Sequence, residues 1–220
     1  MNTKVTNPFD PIAKEYDQWF DDNMNIFLSE LNAIKYFLPN EGTGVEIGVG
    51  TGRFAMELGI KYGVEPSANM ATFAKQRGID VIAGKAEDIP YKNESFDFAI
   101  MVAVDPFVED AVKAYQEIFR ILKIGGKLII GTLHKEGEVA QKYMEMADSE
   151  VYKSAQFHTV SESIQQLRLS GFTTFNTCQA LFTMQPVKEE VPIPGYDKGS
   201  FVAIEAIKIN DYEKNYLPRL

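Results

Sequence analysis

Glu46, Gly48, Gly50 and Gly52 alternate through the stretch Val45-Glu46-Ile47-Gly48-Val49-Gly50-Thr51-Gly52-Arg53-Phe54-Ala55. An apolar run carrying one carboxylate, passing into glycines and then turning helical, reads as strand, tight turn, helix. Glycine, lacking a Cβ, lets the backbone take positive φ and lets a ligand touch the main chain. The amides that open the following helix are expected to face a carboxylate or phosphate. A second carboxylate, Glu65, closes the strand-like run Ile60-Lys61-Tyr62-Gly63-Val64. An acid at the end of a second parallel strand can accept hydrogen bonds from both hydroxyls of a ribose. The dinucleotide fingerprint asks for Gly-x-Gly-x-x-Gly, whereas here Arg53 occupies the last position and the third glycine comes one residue early. That departure speaks against a nicotinamide cofactor.

Three later segments follow the glycine loop in order. They are Gly84-Lys85-Ala86-Glu87-Asp88-Ile89-Pro90-Tyr91, the apolar run Ser95 to Val104 with its Phe96-Asp97 start, and Arg120-Ile121-Leu122-Lys123-Ile124-Gly125-Gly126. Together with Glu-x-Gly-x-Gly-x-Gly they resemble the class I S-adenosylmethionine-dependent methyltransferases, in particular the small single-domain type 11 group, over about residues 9 to 208. The resemblance implies a Rossmann-like α/β fold, a doubly wound, mostly parallel sheet of seven strands with the last antiparallel and helices on both faces. It implies S-adenosylmethionine as cofactor and methyl transfer to a small acceptor, with nitrogen, oxygen, sulfur and carbon all open. By the same likeness Gly48, Gly50 and Gly52, with Val49, hold the methionine moiety, and Glu46 positions the loop or the amino group. Glu65, with Pro66 beside it, takes the ribose, and Ala86, Glu87 and Asp88 hold adenine, with Ile89 against the ring. An acid often stands where this chain has Lys85. Met101, Val102 and Phe107 are expected near the sulfur. An opening like Phe9-Asp10 through Tyr16-Asp17 is similar to the family's N-terminal helix over the cofactor, which brings Tyr16 toward the sulfonium, where an aromatic face attracts a cation.

The substrate side carries less pattern. Asp105-Pro106-Phe107-Val108 matches only half of the Asn/Asp-Pro-Pro-Tyr motif of amino-group methyltransferases. Asp105 and Phe107 are therefore candidates for the acceptor pocket only. His134, after the fifth strand, could serve as a general base. No residue is assigned as catalytic, and no cluster with metal-ligand spacing occurs.

Alternating elements must position these groups. Residues 8 to 40 read as two helices, with Ile12, Ala13, Tyr16, Trp19 and Phe20 on one face and Phe27, Leu31, Ile34 and Leu38 on the next. Residues 1 to 40 form a helical cap of the same domain whose core is 41 to 220. Strands are expected at 60–65, 79–83, 95–104, 127–132, 172–181 and 199–208, after the first at the glycine loop. Helices are expected after that loop, closed by Gly59, from Ser67 as N-cap to Gly78, from Ala111 to a stop at Gly125-Gly126, at 137–150, and at 161–170 behind a Thr159–Glu162 capping box beside His158. Pro186, Pro192 and Pro194 predict a loop, able to act as a lid, and the polar tail from Asn210 is expected to fray.

At 220 residues the chain suits one α/β domain. A net charge of −9 repels polyanions, so nucleic acid is excluded as a partner. No stretch approaches the roughly 20 apolar residues of a membrane span, and the opening lacks a signal peptide's apolar core, which points to the cytoplasm. Cys178 lies in an apolar strand and reads as a buried thiol. The expected partner is a small-molecule acceptor, with the chain a monomer or homodimer. Two other readings share cofactor residues: a sensor that binds S-adenosylmethionine without turnover, and a nicotinamide-dependent oxidoreductase.

Overall fold

The computed structural model describes residues 7–146 and 149–210. The expectations for the first residues and for the tail after Asn210 lie outside the described residues. Two helices come first, α1 (Ala13–Asp22) and α2 (Met24–Lys35). Then follow β1 (Gly44–Ile47), α3 (Arg53–Glu57), β2 (Tyr62–Val64), α4 (Ala68–Gln76), β3 (Asp80–Ile82) and β4 (Phe96–Val102). A 3-10 turn, Asp105–Phe107, leads to α5 (Ala111–Ile121), β5 (Leu122–Leu133), α6 (Glu138–Glu145), α7 (Val160–Leu169), β6 (Thr173–Ala180), β7 (Ile193–Pro194) and β8 (Phe201–Ile207).

The sheet runs β3-β2-β1-β4-β5-β8-β6-β7. β1 through β5 are mutually parallel, and β8 inserts antiparallel between β5 and β6. The strand order reverses between β1 and β4, which opens a crevice at the carboxyl ends of those two strands. Strand alternation divides the core into two layers. Phe98, Ile100 and Val102 of β4 face Phe20, Phe27, Leu31 and Ile34 of the N-terminal helices, while Ala99 and Met101 face Tyr115, Ile118 and Leu167, joined by Phe96 across the irregularity between Phe96 and Phe98. Fully buried residues such as Ile34 and Ile118 each contribute roughly 1.5–3 kcal/mol by leaving water.

Local chemistry explains the ends. Ser67 caps α4 by accepting from the Met70 amide, and Thr159 with Glu162 forms the capping box of α7. Two features differ from the sequence reading. The sheet has eight strands, because Ile193–Pro194 in the proline-rich segment pairs with Cys178 and Gln179 as an edge strand. An edge position tolerates a proline that donates no hydrogen bond. Gly125-Gly126 does not end a helix: α5 stops at Ile121 and β5 starts at once at Leu122. Gly125, at φ +79°, sits in a bulge of β5, donates to the Lys208 carbonyl at 2.7 Å, and the Lys208 amide donates to Gly126 at 2.9 Å.

Candidate functional site

The crevice is built on the turn after β1. Gly48, Gly50 and Gly52 have φ of +71°, +53° and +84°. A Cβ at Gly48 would come 2.4 Å from Val104, and one at Gly52 would meet Ile79 at 2.6 Å and the Ala74 backbone at 3.0 Å. The chain can turn there only without side chains. Four of the loop amides are engaged within the fold. Gly48 and Val49 donate to the Val64 carbonyl, Gly52 to the Val49 carbonyl, and Gly50 to Glu65 Oε2 at 2.9 Å. Amides buried in a fold must find partners within it. Two carboxyl groups, Glu46 and Glu65, stand beside these amides.

Glu46 is 2% exposed and its Oε2 has no hydrogen-bond partner. Burial pushes its carboxyl well above the usual range, the Ala55 amide pulls it back in part, and Glu65 adds to the rise. Glu65, also buried, accepts from the Ser67 amide at 2.8 Å as well as from Gly50. Its carboxyl is raised by burial, against the lowering by those two amides. Each oxygen keeps a second lone pair. Pro66 is exposed next to it. Val49 is buried against Gly63, and Val102 is buried in the same layer. Ala86 is buried in the opposite layer with Val64 and Ile89, Glu87 accepts from the Glu109 amide at 2.7 Å, and Asp88 is exposed. Lys85 pairs with Glu109 at 2.9 Å on the surface. Met101 is fully buried, turned by strand alternation into the layer under α5.

The N-terminal helices cover this crevice. The Tyr16 ring lies 3.8 Å from where a Gly50 Cβ would stand. Its hydroxyl is held above the phenol range by burial first, then by Glu30, Tyr152, Glu46 and Glu65. Phe9 touches both Tyr16 and Phe107, at centroid distances of 6.0 and 5.1 Å, and Phe107 faces Tyr152 at 6.1 Å. Tyr16 and Phe107 are thus gathered at one place. Ala103, between β4 and the 3-10 turn, is held at φ +53°, a strained backbone of the kind found at functional sites.

Asp105 and His134 are placed differently. The Asp105 carboxyl is 1% exposed, accepts from Thr132 Oγ1 at 2.8 Å, and burial raises it to about 7. It anchors the turn to β5 and stands near Tyr115 of the opposite layer. His134 donates through Nε2 to the Gly199 carbonyl at 2.9 Å, which leaves Nδ1 buried without a partner. It lines a separate surface cleft of about 370 Å³ with Glu136, Glu138, Tyr196 and Asp197, away from the glycine loop. Among the described residues no group of three or more His, Cys, Asp or Glu could hold a metal ion. No described helix is long and apolar enough to cross a membrane.

Two sets of residues here escape a reading of the sequence. Arg53 binds Asp17 through Nε and Nη2, both at 3.0 Å, and Asp21 at 2.8 Å, while Arg77 reaches Asp17 at 2.9 Å. Asp10 accepts from Ser67 Oγ at 2.5 Å. These pairs tie the cap to the glycine loop and to the residue that follows Glu65 and Pro66. The second set is Glu30, Tyr143 and Tyr152. An acid inside the apolar stripe of α2, beside Phe27, Leu31 and Ile34, was a visible signal for Glu30.

Residues 45–130 match the model of the methyltransferase domain family. An uncharacterized protein of Methanocaldococcus jannaschii is 44% identical over 205 residues, 92% of this chain and 100% of that protein. A 2-phytyl-1,4-naphtoquinone methyltransferase of Nostoc is 31% identical over 154 residues, 61% of this chain and 67% of its own length. The crystal structure of a SAM-dependent methyltransferase of Thermotoga maritima, described as a possible histamine N-methyltransferase, superposes with TM-score 0.88 at 44% identity, covering 91% of this chain and 98% of that one. With this fold and these relatives, the chain belongs to the class I S-adenosylmethionine-dependent methyltransferases, and S-adenosylmethionine is its cofactor.

Proposed function

We propose that this chain is an enzyme that transfers the methyl group of S-adenosylmethionine to a small molecule held beneath α1 and α2. The observation that carries the reading is Glu46 Oε2, buried at the foot of the glycine loop with no partner. A buried carboxylate calls for a cation or donor, and the ammonium of the methionine moiety is one. In this reading Gly48, Val49, Gly50 and Gly52 cradle that moiety and Glu65 accepts from the ribose hydroxyls. Ala86, Glu87 and Asp88, with Ile89 and Val102, enclose the adenine, and Pro66 shapes the ribose edge. Tyr16 closes the site over Gly50, and Phe107 forms the acceptor wall.

The bound sulfonium supplies an already activated methyl group. What the chain contributes is alignment and exclusion of water by the aromatic cap. The names of the relatives mention two unlike small molecules, histamine and a phytyl naphtoquinone. They support a small acceptor and leave its reacting atom open.

The test is calorimetry with S-adenosylhomocysteine, followed by transfer of labelled methyl to amines, phenols, carboxylates and thiols. The expected result is saturable binding, weakened about 10- to 100-fold in Glu46→Gln, which corresponds to roughly 1.4–2.8 kcal/mol. Folded protein with no heat and no uptake would overturn the reading.

A further inference from the structure

Glu30 has no role in the cofactor cradle. It lies on α2, is 8% exposed, and makes no hydrogen bond or ion pair among the described residues. Its position follows from the α1–α2 corner at Asn23. Phe20 on α1 and Phe27 on α2 meet across that corner, with centroids 5.1 Å apart. Tyr16 lies one turn before Phe20, on the same face, and Glu30 about one turn beyond Phe27. Glu30 and Tyr16 therefore lie on the same side of the corner, on opposite helices. The charge of Glu30 reaches both Tyr16 and Tyr143 of α6, which places α6 on a further side.

Aromatic rings extend from Tyr16 on this side of the molecule. Tyr16, Phe9, Phe107, Tyr152 and Tyr143 form an arc of successive ring contacts, ending in a Tyr152–Tyr143 stack at 4.5 Å and 7°. The Pro106 carbonyl accepts from the Gln156 amide at 2.7 Å, which holds the Tyr152 segment to the turn carrying Phe107. Among the described residues, protein cations that sit over rings do so at Phe20, Phe175 and Phe119, and none is found over this arc. Electron-rich rings beside a buried carboxylate without a counter-ion are the chemistry that receives an organic ammonium. A thiol, a neutral alcohol or a carboxylate would leave the charge unanswered or oppose it.

We infer that Glu30 and the five-ring arc bind the acceptor, and that the acceptor is an amine which arrives as its ammonium ion. This inference rests on the methyl-transfer reading above. Binding of the ammonium drives the buried Glu30 carboxyl to its carboxylate, whose proton leaves to solvent, and the ammonium then gives one of its own protons to that carboxylate. The nitrogen lone pair then forms the N–CH3 bond while the S–CH3 pair returns to sulfur. S-adenosylhomocysteine and a methylated ammonium leave, and the proton on Glu30 passes to solvent. Glu30 acts electrostatically on Tyr16, whose ring borders Gly50, so an amine between them is held on the cradle side.

Matched probes test it on the full chain: 2-phenylethylamine against 2-phenylethanol, and benzylamine against benzyl alcohol, with phenol, thiophenol and benzoate alongside. Binding is read as the thermal shift of protein saturated with S-adenosylhomocysteine, and turnover as labelled methyl. The expected result is amine binding at least about tenfold tighter than the neutral partner, with methyl found on nitrogen. Glu30→Gln, nearly isosteric, should raise the amine KM about 30-fold or more and leave the affinity for S-adenosylhomocysteine within twofold. Tyr143→Leu should raise the same KM about fivefold. Protein that binds S-adenosylhomocysteine but takes the neutral compounds as well as the amines, labels another class instead, or labels no amine, overturns the amine inference and leaves the cofactor assignment standing. An amine KM unchanged in Glu30→Gln overturns it as well. Failure of wild-type protein to bind S-adenosylhomocysteine removes the underlying reading, and this inference with it.

Discussion

Replacing Asp17 by alanine would cut the tie between the cap and the glycine loop. Asp17 accepts from Arg53 Nε and Nη2, each at 3.0 Å, and from Arg77 Nη2 at 2.9 Å. The three side chains are 13–17% exposed, so these bonds are partly shielded from water. Charge-assisted hydrogen bonds contribute about 1.5–3 kcal/mol each, but Arg53 keeps Asp21 and the Asp17 carbonyl, and Arg77 keeps the Thr51 carbonyl. With those partners retained and some solvent screening, the loss comes to about 2–3 kcal/mol. Alanine itself favours the helix, so the cost falls on docking of α1 rather than on its formation. Hydrogen exchange of the α1 amides should rise about 30- to 150-fold, while β4 stays protected. Burial raises the Asp17 carboxyl, yet the bonds from Arg53 and Arg77 outweigh it and leave it below the usual range. Its contribution is therefore complete above the ordinary carboxylate pKa and is lost as pH falls through the lowered one. Acidification below about pH 4 should open α1 in the wild type, with little further change in the variant. Exchange in α1 that changes less than about threefold, or that rises equally in β4, would refute the clamp.

Three further outcomes are expected. Burial raises the Glu30 carboxyl to about 8 and that of Asp105 to about 7, so the folded state holds protons that the unfolded state releases near pH 4. Stability measured by urea titration should fall as pH rises from about 5 to 8, and Glu30→Gln with Asp105→Asn should flatten that slope; a rise over this range would contradict it. His158, lowered by burial, acts in the opposite direction below its ordinary range. Gly52→Ala combines left-handed strain with a backbone clash at Ala74, whereas Gly50→Ala meets only strain of about 1–2 kcal/mol, so thermal unfolding should rank Gly52→Ala clearly lower, and the reverse order would count against the loop geometry. The Cys178 thiol, buried and pushed up to about 12, should resist iodoacetamide in native protein by mass spectrometry; labelling within minutes would show it accessible.

The glycine loop, the acid at the end of β2, the order of strands and helices and the capping residues were legible in the sequence. Each is a matter of neighbours in the chain: residue period, turn chemistry and side chains that bond two or three positions away. Helix and strand limits shifted by a few residues, and Gly125-Gly126 became a bulge because β4 and Lys208 approach it from elsewhere. The edge strand at Ile193–Pro194 required Cys178 and Gln179 beside it. Arg53 read as a broken dinucleotide fingerprint, and only the fold paired it with Asp17 and Asp21. Glu30, one acid in the apolar stripe of α2, carried no assignment in the sequence reading. Packing α2 against α1 buried its carboxyl without a hydrogen-bond partner, and Phe9, Phe107, Tyr143 and Tyr152 meet one another from four separate segments. Contacts between distant segments depend on how whole elements dock, and no local pattern encodes that docking.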